Sequence, residues 1–144
     1  MARWLLDTNV LLRLQEGDDS NAYRAVMSLG QSGEILCVTP QVLIEFWCAA
    51  TRPKDARGLG WTIMGTATRV KGILNRFHLL DDRTDVFELW QQIVKRHAVK
   101  GKKVHDARLV AVMQSHGVKN LLTFNVDDFD GFGEIQTVHP GSIG

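Results

Sequence analysis

Three carboxylates of this chain stand where packing alone would favour apolar residues. Asp7 directly follows a short apolar run, Glu45 lies within the apolar stretch 42–47, and Asp106 heads the apolar stripe of a predicted helix. A buried carboxylate without a partner costs several kcal/mol, so each of these acids needs one. Their setting therefore points to a charged site.

Each acid also has a structural explanation. Asp7 or Asn9 can cap the following helix. Glu45 can point along a narrow polar seam to water, and Asp106 complements the helix dipole from the first turn. Taken alone, the structural explanation is sufficient for Asp106. For Asp7 the structural and functional explanations are equally strong.

A fourth polar group, made of Thr123, Asn125, Asp127 and Asp128, follows the fourth predicted strand. Ligands of open α/β sheets bind at the carboxyl ends of the strands, so this loop should lie at the edge that carries Asp7. Oxygen ligands of this kind suit Mg²⁺ or Mn²⁺ and do not suit zinc. Without a metal, carboxylates held this close would repel one another and raise their pKa values.

Short apolar strands alternate with helices along the chain. We predict strands over 3–6, 35–38, 78–80 and 120–123, with 135–138 as the candidate fifth, and helices over 10–15, 21–29, 40–50, 61–77, 85–97 and 105–116. Thr39 and Thr84 are the predicted caps of the third and fifth helices. This alternation predicts a single α/β domain over residues 1–144, with a short parallel β-sheet of four to five strands flanked by helices on both faces.

The composition is that of a globular domain. The 144 residues are 44% hydrophobic and 23% charged, with a formal net charge of +1, which excludes a disordered chain. No apolar run approaches the ~20 residues that cross a bilayer, and the early charge at the N-terminus is unlike a signal peptide. We therefore expect a cytoplasmic protein without membrane contact. Cys37 and Cys48 are expected to be buried free thiols.

Charge is unevenly distributed along the sequence. Basic residues are concentrated between Lys95 and Lys103, whereas the segment 104–144 is mainly acidic. A metal-dependent nuclease needs basic segments beside an acidic one. A solvated surface of mixed charge is the alternative, and charge alone favours it.

At these residues the sequence resembles the PIN-domain family, most closely its VapC-like ribonuclease toxins. The matching segments occur in family order over nearly the whole chain, and they are Leu6 to Leu12, Val42 to Phe46, His105 to Ala111 and Leu121 to Phe129.

The resemblance implies a metal-dependent endoribonuclease that uses one or two Mg²⁺ or Mn²⁺ ions. Asp7, Glu45 and Asp106 match the acidic positions of the family and are the candidate catalytic and metal-binding residues. Asn125 is a departure, because many members carry an aspartate there. Either Asn125 serves as a neutral ligand or Asp128 reaches the metal instead. The replacement of the aspartate by Asn125 affects the expected binding of a second ion more than that of the first.

The resemblance also suggests roles for neighbouring polar and basic residues. Four polar side chains are candidates for binding the scissile phosphate or orienting the acids, namely Thr8, Asn9, Thr123 and Asn125. Four basic candidates for gripping the RNA backbone are Lys100, Lys102, Lys103 and His105. The alternative for the basic group is a solvated loop.

Toxins of this type pair as homodimers and are blocked by a small antitoxin protein, so the resemblance implies both partners. Trp47, Trp61, Ile63 and Met64 form an apolar surplus near a basic loop and are candidate interface residues. Ordinary core packing of each residue is the alternative.

Two other functions stay open at this stage. One is a catalytically silent PIN module that binds RNA in a processing assembly, and the other is a nuclease of ribosomal RNA maturation. Retention of Asp7, Glu45 and Asp106 favours an enzyme. The 144-residue length, without an added RNA-binding domain, favours a toxin.

Overall fold

The computed structural model describes residues 1–17 and 20–144. Within these residues five strands alternate with six α-helices. The strands are β1 (Arg3–Leu6), β2 (Ile35–Val38), β3 (His78–Leu79), β4 (Asn120–Leu122) and β5 (Gln136–Val138). The helices are α1 (Thr8–Glu16), α2 (Ser20–Gln31), α3 (Pro40–Thr51), α4 (Ile63–Arg76), α5 (Val86–Arg96) and α6 (Lys103–His116).

The five strands form one parallel sheet in the order β3-β2-β1-β4-β5. β1 is central, with Leu5 opposite Cys37 of β2 and Leu121 of β4. The α/β fold and the parallel sheet predicted from the sequence are confirmed, and the candidate fifth strand is present.

The strand order reverses beside β1. The chain steps outward from β1 to β2 and β3, then crosses back to place β4 on the other side of β1. Because parallel crossovers are right-handed, α1–α4 cover one face of the sheet and α5 and α6 the other. The helix contacts agree, since α1 packs on α2 and α3, α3 packs on α4, and α5 packs on α6. Such a reversal opens a crevice at the carboxyl ends of the two diverging strands.

Local capping explains where the helices start. Thr39 Oγ1 accepts a hydrogen bond from the Val42 amide at 3.2 Å, as its predicted cap role requires. Thr62 caps α4 through the Gly65 amide at 3.0 Å, so that helix begins later than predicted. The prediction for α5 was wrong at its start, because the capping position is Asp85 and not Thr84.

The core lies between the sheet and the helices. Leu5, Leu6, Leu121 and Leu122 are completely buried, as is Cys37. The second cysteine was predicted wrongly, because Cys48 is exposed on α3; both thiols are free.

The candidate interface residues divide into two groups. Trp47 and Trp61 are partly buried, with Trp61 edge-on to Phe46, whereas Ile63 and Met64 are 69% and 82% exposed.

In the described ranges, no helix combines the length and apolar character of a membrane span.

Candidate metal centre at the sheet edge

A cavity of about 220 Å³ opens where the strand order reverses. We call it the acidic pocket. It is lined by residues that follow β1 and β4 and by residues of α1, α3 and α6: Asp7, Thr8, Asn9, Leu12, Gln41, Glu45, Asp106, Leu109, Asn125, Asp128 and Phe129. Four carboxylates that are far apart in sequence therefore share one small space.

Asp7 is held by a network of donors at the end of β1. Its Oδ2 accepts a hydrogen bond from Thr123 Oγ1 at 2.8 Å, and its Oδ1 accepts one from the Thr8 amide at 2.8 Å. The pKa of Asp7 is raised overall. Burial is the largest cause, and the charges of Glu45 and Asp128 add to it, whereas the two hydrogen bonds lower the pKa. Asp7 also caps α1, so the structural and functional interpretations of this residue are compatible.

Asn9 and Thr123 tie the β1 and β4 ends of the pocket together. Asn9 Nδ2 donates to Thr123 Oγ1 at 3.2 Å, and Asn9 Oδ1 accepts from the Phe124 amide at 3.1 Å. The backbone N–H of Asn125 donates to Thr123 Oγ1 at 3.0 Å. Thr123 is fully buried behind the pocket, so it can orient Asp7 but does not face a ligand.

Glu45 differs from its predicted setting. The expectation of a buried carboxylate is wrong, because Glu45 is exposed on α3 and faces the pocket along a polar seam. Thr8 Oγ1 donates to its Oε2 at 3.3 Å, and Gln41 Nε2 donates to its Oε1 at 3.4 Å. The structural alternative of a polar seam to water therefore holds for Glu45, and its place beside Asp7 and Asp106 is what makes it a candidate for the site.

Asp106 lies half-buried in the first turn of α6. Burial raises its pKa to about 6, with further contributions from the charges of Asp128, Asp7 and Glu45 and an opposing one from Lys103. Asp128 is exposed in the 3-10 helix Val126–Phe129 and lines the pocket, whereas its exposed neighbour Asp127 does not.

The donor chemistry of the acidic pocket fits a hard divalent cation. All of its potential ligands are carboxylate, amide or hydroxyl oxygens, and the charges of Glu45 and Asp128 help to raise the pKa values of Asp7 and Asp106. Across the described residues, no three His, Cys, Asp or Glu side chains converge tightly enough to hold one ion together. A protein site for Mg²⁺ commonly leaves the ion several of its waters and supplies one or two carboxylates directly.

Sequence reasoning missed Gln41, one turn before Glu45 on α3. Its Nε2 donates to the His105 carbonyl at 2.8 Å, and its Oε1 accepts from Arg108 Nη1 at 2.9 Å. Gln41 thus fixes the distance between α3 and α6, the helices that carry Glu45 and Asp106. Its spacing of four residues from Glu45 was the available signal, since such residues share a helix face.

The predicted basic residues do not line the acidic pocket. Lys100 and Lys102 are exposed in the loop before α6, and Lys103 Nζ lies 5.3 Å from the centre of the Phe132 ring. His105 is exposed and points into a neighbouring groove. Any contact of these residues with RNA would therefore be made outside the pocket.

The chain belongs to a known class of protein. The PIN domain model matches residues 4–134, so the chain belongs to the PIN-domain family. The resemblance seen in the sequence is confirmed. A search of curated proteins gave no significant match.

Several solved toxin structures share this fold. DNA-bound VapBC from Salmonella typhimurium is 21% identical with a TM-score of 0.73, and the match covers 97% of this chain and 99% of that one. A toxin–antitoxin complex from Klebsiella pneumoniae is 23% identical with a TM-score of 0.66, covering 97% and 98%. VapC20 of Mycobacterium tuberculosis, a Sarcin-Ricin loop cleaving toxin, is 22% identical with a TM-score of 0.60, covering 92% and 98%.

Proposed function

We propose that this protein is a Mg²⁺- or Mn²⁺-dependent endoribonuclease and the toxin of a toxin–antitoxin pair, acting in the cytoplasm. The observation that carries the proposal is the acidic pocket, where four carboxylates from four parts of the chain face one space. Such an arrangement destabilises the metal-free protein, since it raises the pKa values of Asp7 and Asp106. Proteins retain such unfavourable local arrangements at functional sites.

Asp7 and Asp106 are the proposed direct ligands, with Glu45 and Asp128 at the sides of the site. A divalent cation bound there would neutralise phosphate charge and lower the pKa of a bound water to make a nucleophile. Glu45 is exposed and held by Thr8 and Gln41, so it is placed to accept a proton from the attacking water.

The polar residues around the acids have separate roles in this proposal. Thr123 positions Asp7 from behind, and Asn9 joins the two strand ends. Asn125 is exposed at the pocket and can bind phosphate oxygen or a metal-bound water through its amide. With Asn125 in place of an acid, Asp128 is the remaining carboxylate for a second ion.

The test is cleavage of RNA by purified variants. Asp7→Ala, Glu45→Ala and Asp106→Ala should each lower the cleavage rate about 100-fold or more, because each removes a group that acts on charge or protons in the transition state. Chelation of divalent cations should abolish cleavage by the unaltered protein, and Mg²⁺ or Mn²⁺ should restore it. Full activity of Asp106→Ala, in preparations free of contaminating ribonuclease, would refute the mechanism.

An antitoxin partner is supported by an exposed apolar groove between α3 and α4. Its volume is about 560 Å³, and it is lined by Pro40, Leu43, Ile44, Trp47, Cys48 and Val70. We propose that an apolar segment of a small antitoxin occupies this apolar groove and continues to the acidic pocket, where a basic side chain would bind the carboxylates. Complexes with antitoxins among the structural neighbours support this partner.

Self-association as a homodimer is a further part of the proposal. Ile63 and Met64 at the start of α4 leave large apolar side chains in solvent, which marks candidate contact surface. Light scattering of the purified protein measures this directly, and a strictly monomeric protein would remove the dimer but leave the nuclease proposal intact.

A further inference from the structure

A second groove lies between the N-terminal ends of α5 and α6. Its volume is about 410 Å³, and we call it the aromatic groove. Its floor and walls include Phe87 and Trp90 of α5, His105 and Arg108 of α6, and Arg83 from the preceding loop. The proposed phosphodiester chemistry does not use these aromatic side chains.

The two aromatic rings form a platform, and the inner ring is held by a hydrogen bond. Phe87 and Trp90 are stacked with their centroids 5.6 Å apart and their planes inclined by 22°. Trp90 Nε1 donates to the Val104 carbonyl at 2.8 Å, which locks the indole against α6. Phe87 is 66% exposed, so the stack leaves aromatic surface open to solvent. A planar ligand can extend this stack with little loss of side-chain freedom.

Basic side chains surround the platform. Arg108 Nη2 lies 3.2 Å from Asp82 Oδ1, and Arg83 Nη1 donates to the Ser115 carbonyl at 3.0 Å, so both guanidinium groups are held in place. The groove lining therefore carries two arginines against the single carboxylate of Asp82, which leaves a formal charge of +1 with His105 neutral. A positively charged groove with an aromatic floor complements a nucleotide, whose base is planar and whose phosphates are negative.

The aromatic groove adjoins the acidic pocket through α6 and Gln41. His105 lines the groove and Asp106, the next residue, lines the pocket. Gln41 also contacts both sites, since it bonds to Arg108 on the groove side and to Glu45 on the pocket side. A single strand whose scissile phosphate is in the pocket can thus place a neighbouring nucleotide in the groove.

We propose that the aromatic groove is a nucleobase subsite, where an unpaired base of the RNA beside the scissile phosphate stacks on Phe87. The inference rests on the proposed ribonuclease function and adds to it a contact with the base of a nucleotide next to the scissile phosphate. Stacking accepts any base, so the subsite selects unpaired structure more than sequence.

The test separates base from backbone in binding to metal-free protein. Fluorescence anisotropy in EDTA would compare labelled oligoadenylate with an abasic ribose-phosphate chain of equal length, so that both probes carry the same charge and no cleavage occurs. Phe87→Ala should weaken oligoadenylate binding about tenfold and leave the abasic chain unchanged, because one stacked base is lost. Phe87→Trp should restore the affinity. Tyr23→Ala, which removes an aromatic ring that is 59% exposed on α2, should change neither probe.

Three results would overturn the subsite. One is equal affinity of Phe87→Ala and the unaltered protein for oligoadenylate, and another is an equal loss with both probes. The third is a dimer-to-monomer change of Phe87→Ala in sedimentation, which would make the groove a contact between two copies of the chain. Cleavage with Mg²⁺ is assayed separately, so a failure of the nuclease proposal is distinguishable from a failure of this one.

Discussion

At the residue scale, burial and mutual repulsion set the properties of the acidic pocket. Asp7 gains hydrogen bonds from Thr123 and Thr8 that offset part of the cost of its burial. Burial is the main reason that the pKa of Asp106 rises to about 6, and the charge of Lys103 opposes this rise only in part. A cation bound in the pocket would favour the ionised form of both acids.

The raised pKa of Asp106 predicts a pH-dependent stability of the metal-free protein. A carboxyl group with a raised pKa binds its proton more tightly in the folded state, so the stability that it contributes falls as the pH rises from 3.8 to about 6. Asp106→Asn should therefore raise Tm by about 2–4 °C above this range, a shift that corresponds to ~1 kcal/mol in a chain of this size. Thermal unfolding in EDTA measures it. An equal difference below pH 3.8 would show that charge is not the cause.

The two adjacent aspartates Asp127 and Asp128 should differ in importance. Asp128 lines the acidic pocket and raises the pKa values of Asp7 and Asp106, whereas Asp127 is exposed outside the lining. Asp128→Ala should lower activity and metal affinity about 10-fold, the effect typical of a group that supports metal ligands. Asp127→Ala is the matched control and should retain both. Calorimetric metal titration with equal affinities in the two variants would reject the ranking.

At the element scale, the ends of strands and helices assemble the site. The sequence was sufficient to predict the parallel sheet and the helix that carries Asp106, because apolar periodicity and capping residues are local signals. It was insufficient for Glu45, whose apolar neighbours in sequence predicted burial although its side chain faces solvent. Gln41 escaped prediction because its partners, His105 and Arg108, are more than sixty residues away in the chain.

The loop before α6 is predicted to add electrostatic affinity for RNA. Lys100 and Lys102 are exposed, and Lys103 begins α6 beside Phe132. Replacing the three lysines with alanine should weaken binding, and each lost phosphate contact should flatten the log–log salt dependence by about 0.7. A double replacement of Lys54 and Lys71, exposed lysines elsewhere on the surface, is the matched control. An unchanged slope in the triple variant would identify the segment as a solvated loop.

At the scale of the whole molecule, α3 and α6 each line two of the three cavities described above. α3 contributes to the acidic pocket on one side and to the apolar groove on another, and α6 contributes to the acidic pocket and the aromatic groove. Because the sheet lies between α1–α4 and α5–α6, the two grooves belong to opposite halves of the fold. A partner in the apolar groove therefore does not cover the aromatic groove.

Cys48 gives a direct readout of the proposed antitoxin. It is exposed in the apolar groove, whereas Cys37 is buried in β2 and serves as an internal control. The proposed antitoxin is to be sought in the adjacent open reading frame, and co-expression with its product should protect Cys48 from alkylation and suppress RNA cleavage. Ile44→Glu, at a lining residue that is 68% exposed, should abolish the protection without impairing cleavage. Phe87→Glu is the control on the opposite half and should leave the complex intact.

A protein that is harmless when expressed alone would contradict the toxin proposal. The toxin proposal would also be contradicted if the protein cleaved RNA at full rate in the presence of the adjacent gene product while Cys48 remained reactive to alkylation. The nuclease proposal would survive either outcome.

The central proposal is that the acidic pocket holds a divalent cation that acts on RNA. Anomalous scattering from crystals grown with Mn²⁺ above pH 6, where Asp106 is ionised, tests it most directly. We predict an anomalous peak in the pocket within coordinating distance of Asp7 and Asp106, lost in Asp106→Ala. An enzyme that cleaves RNA with Mn²⁺ while its crystals show the peak elsewhere, or show none, would contradict it.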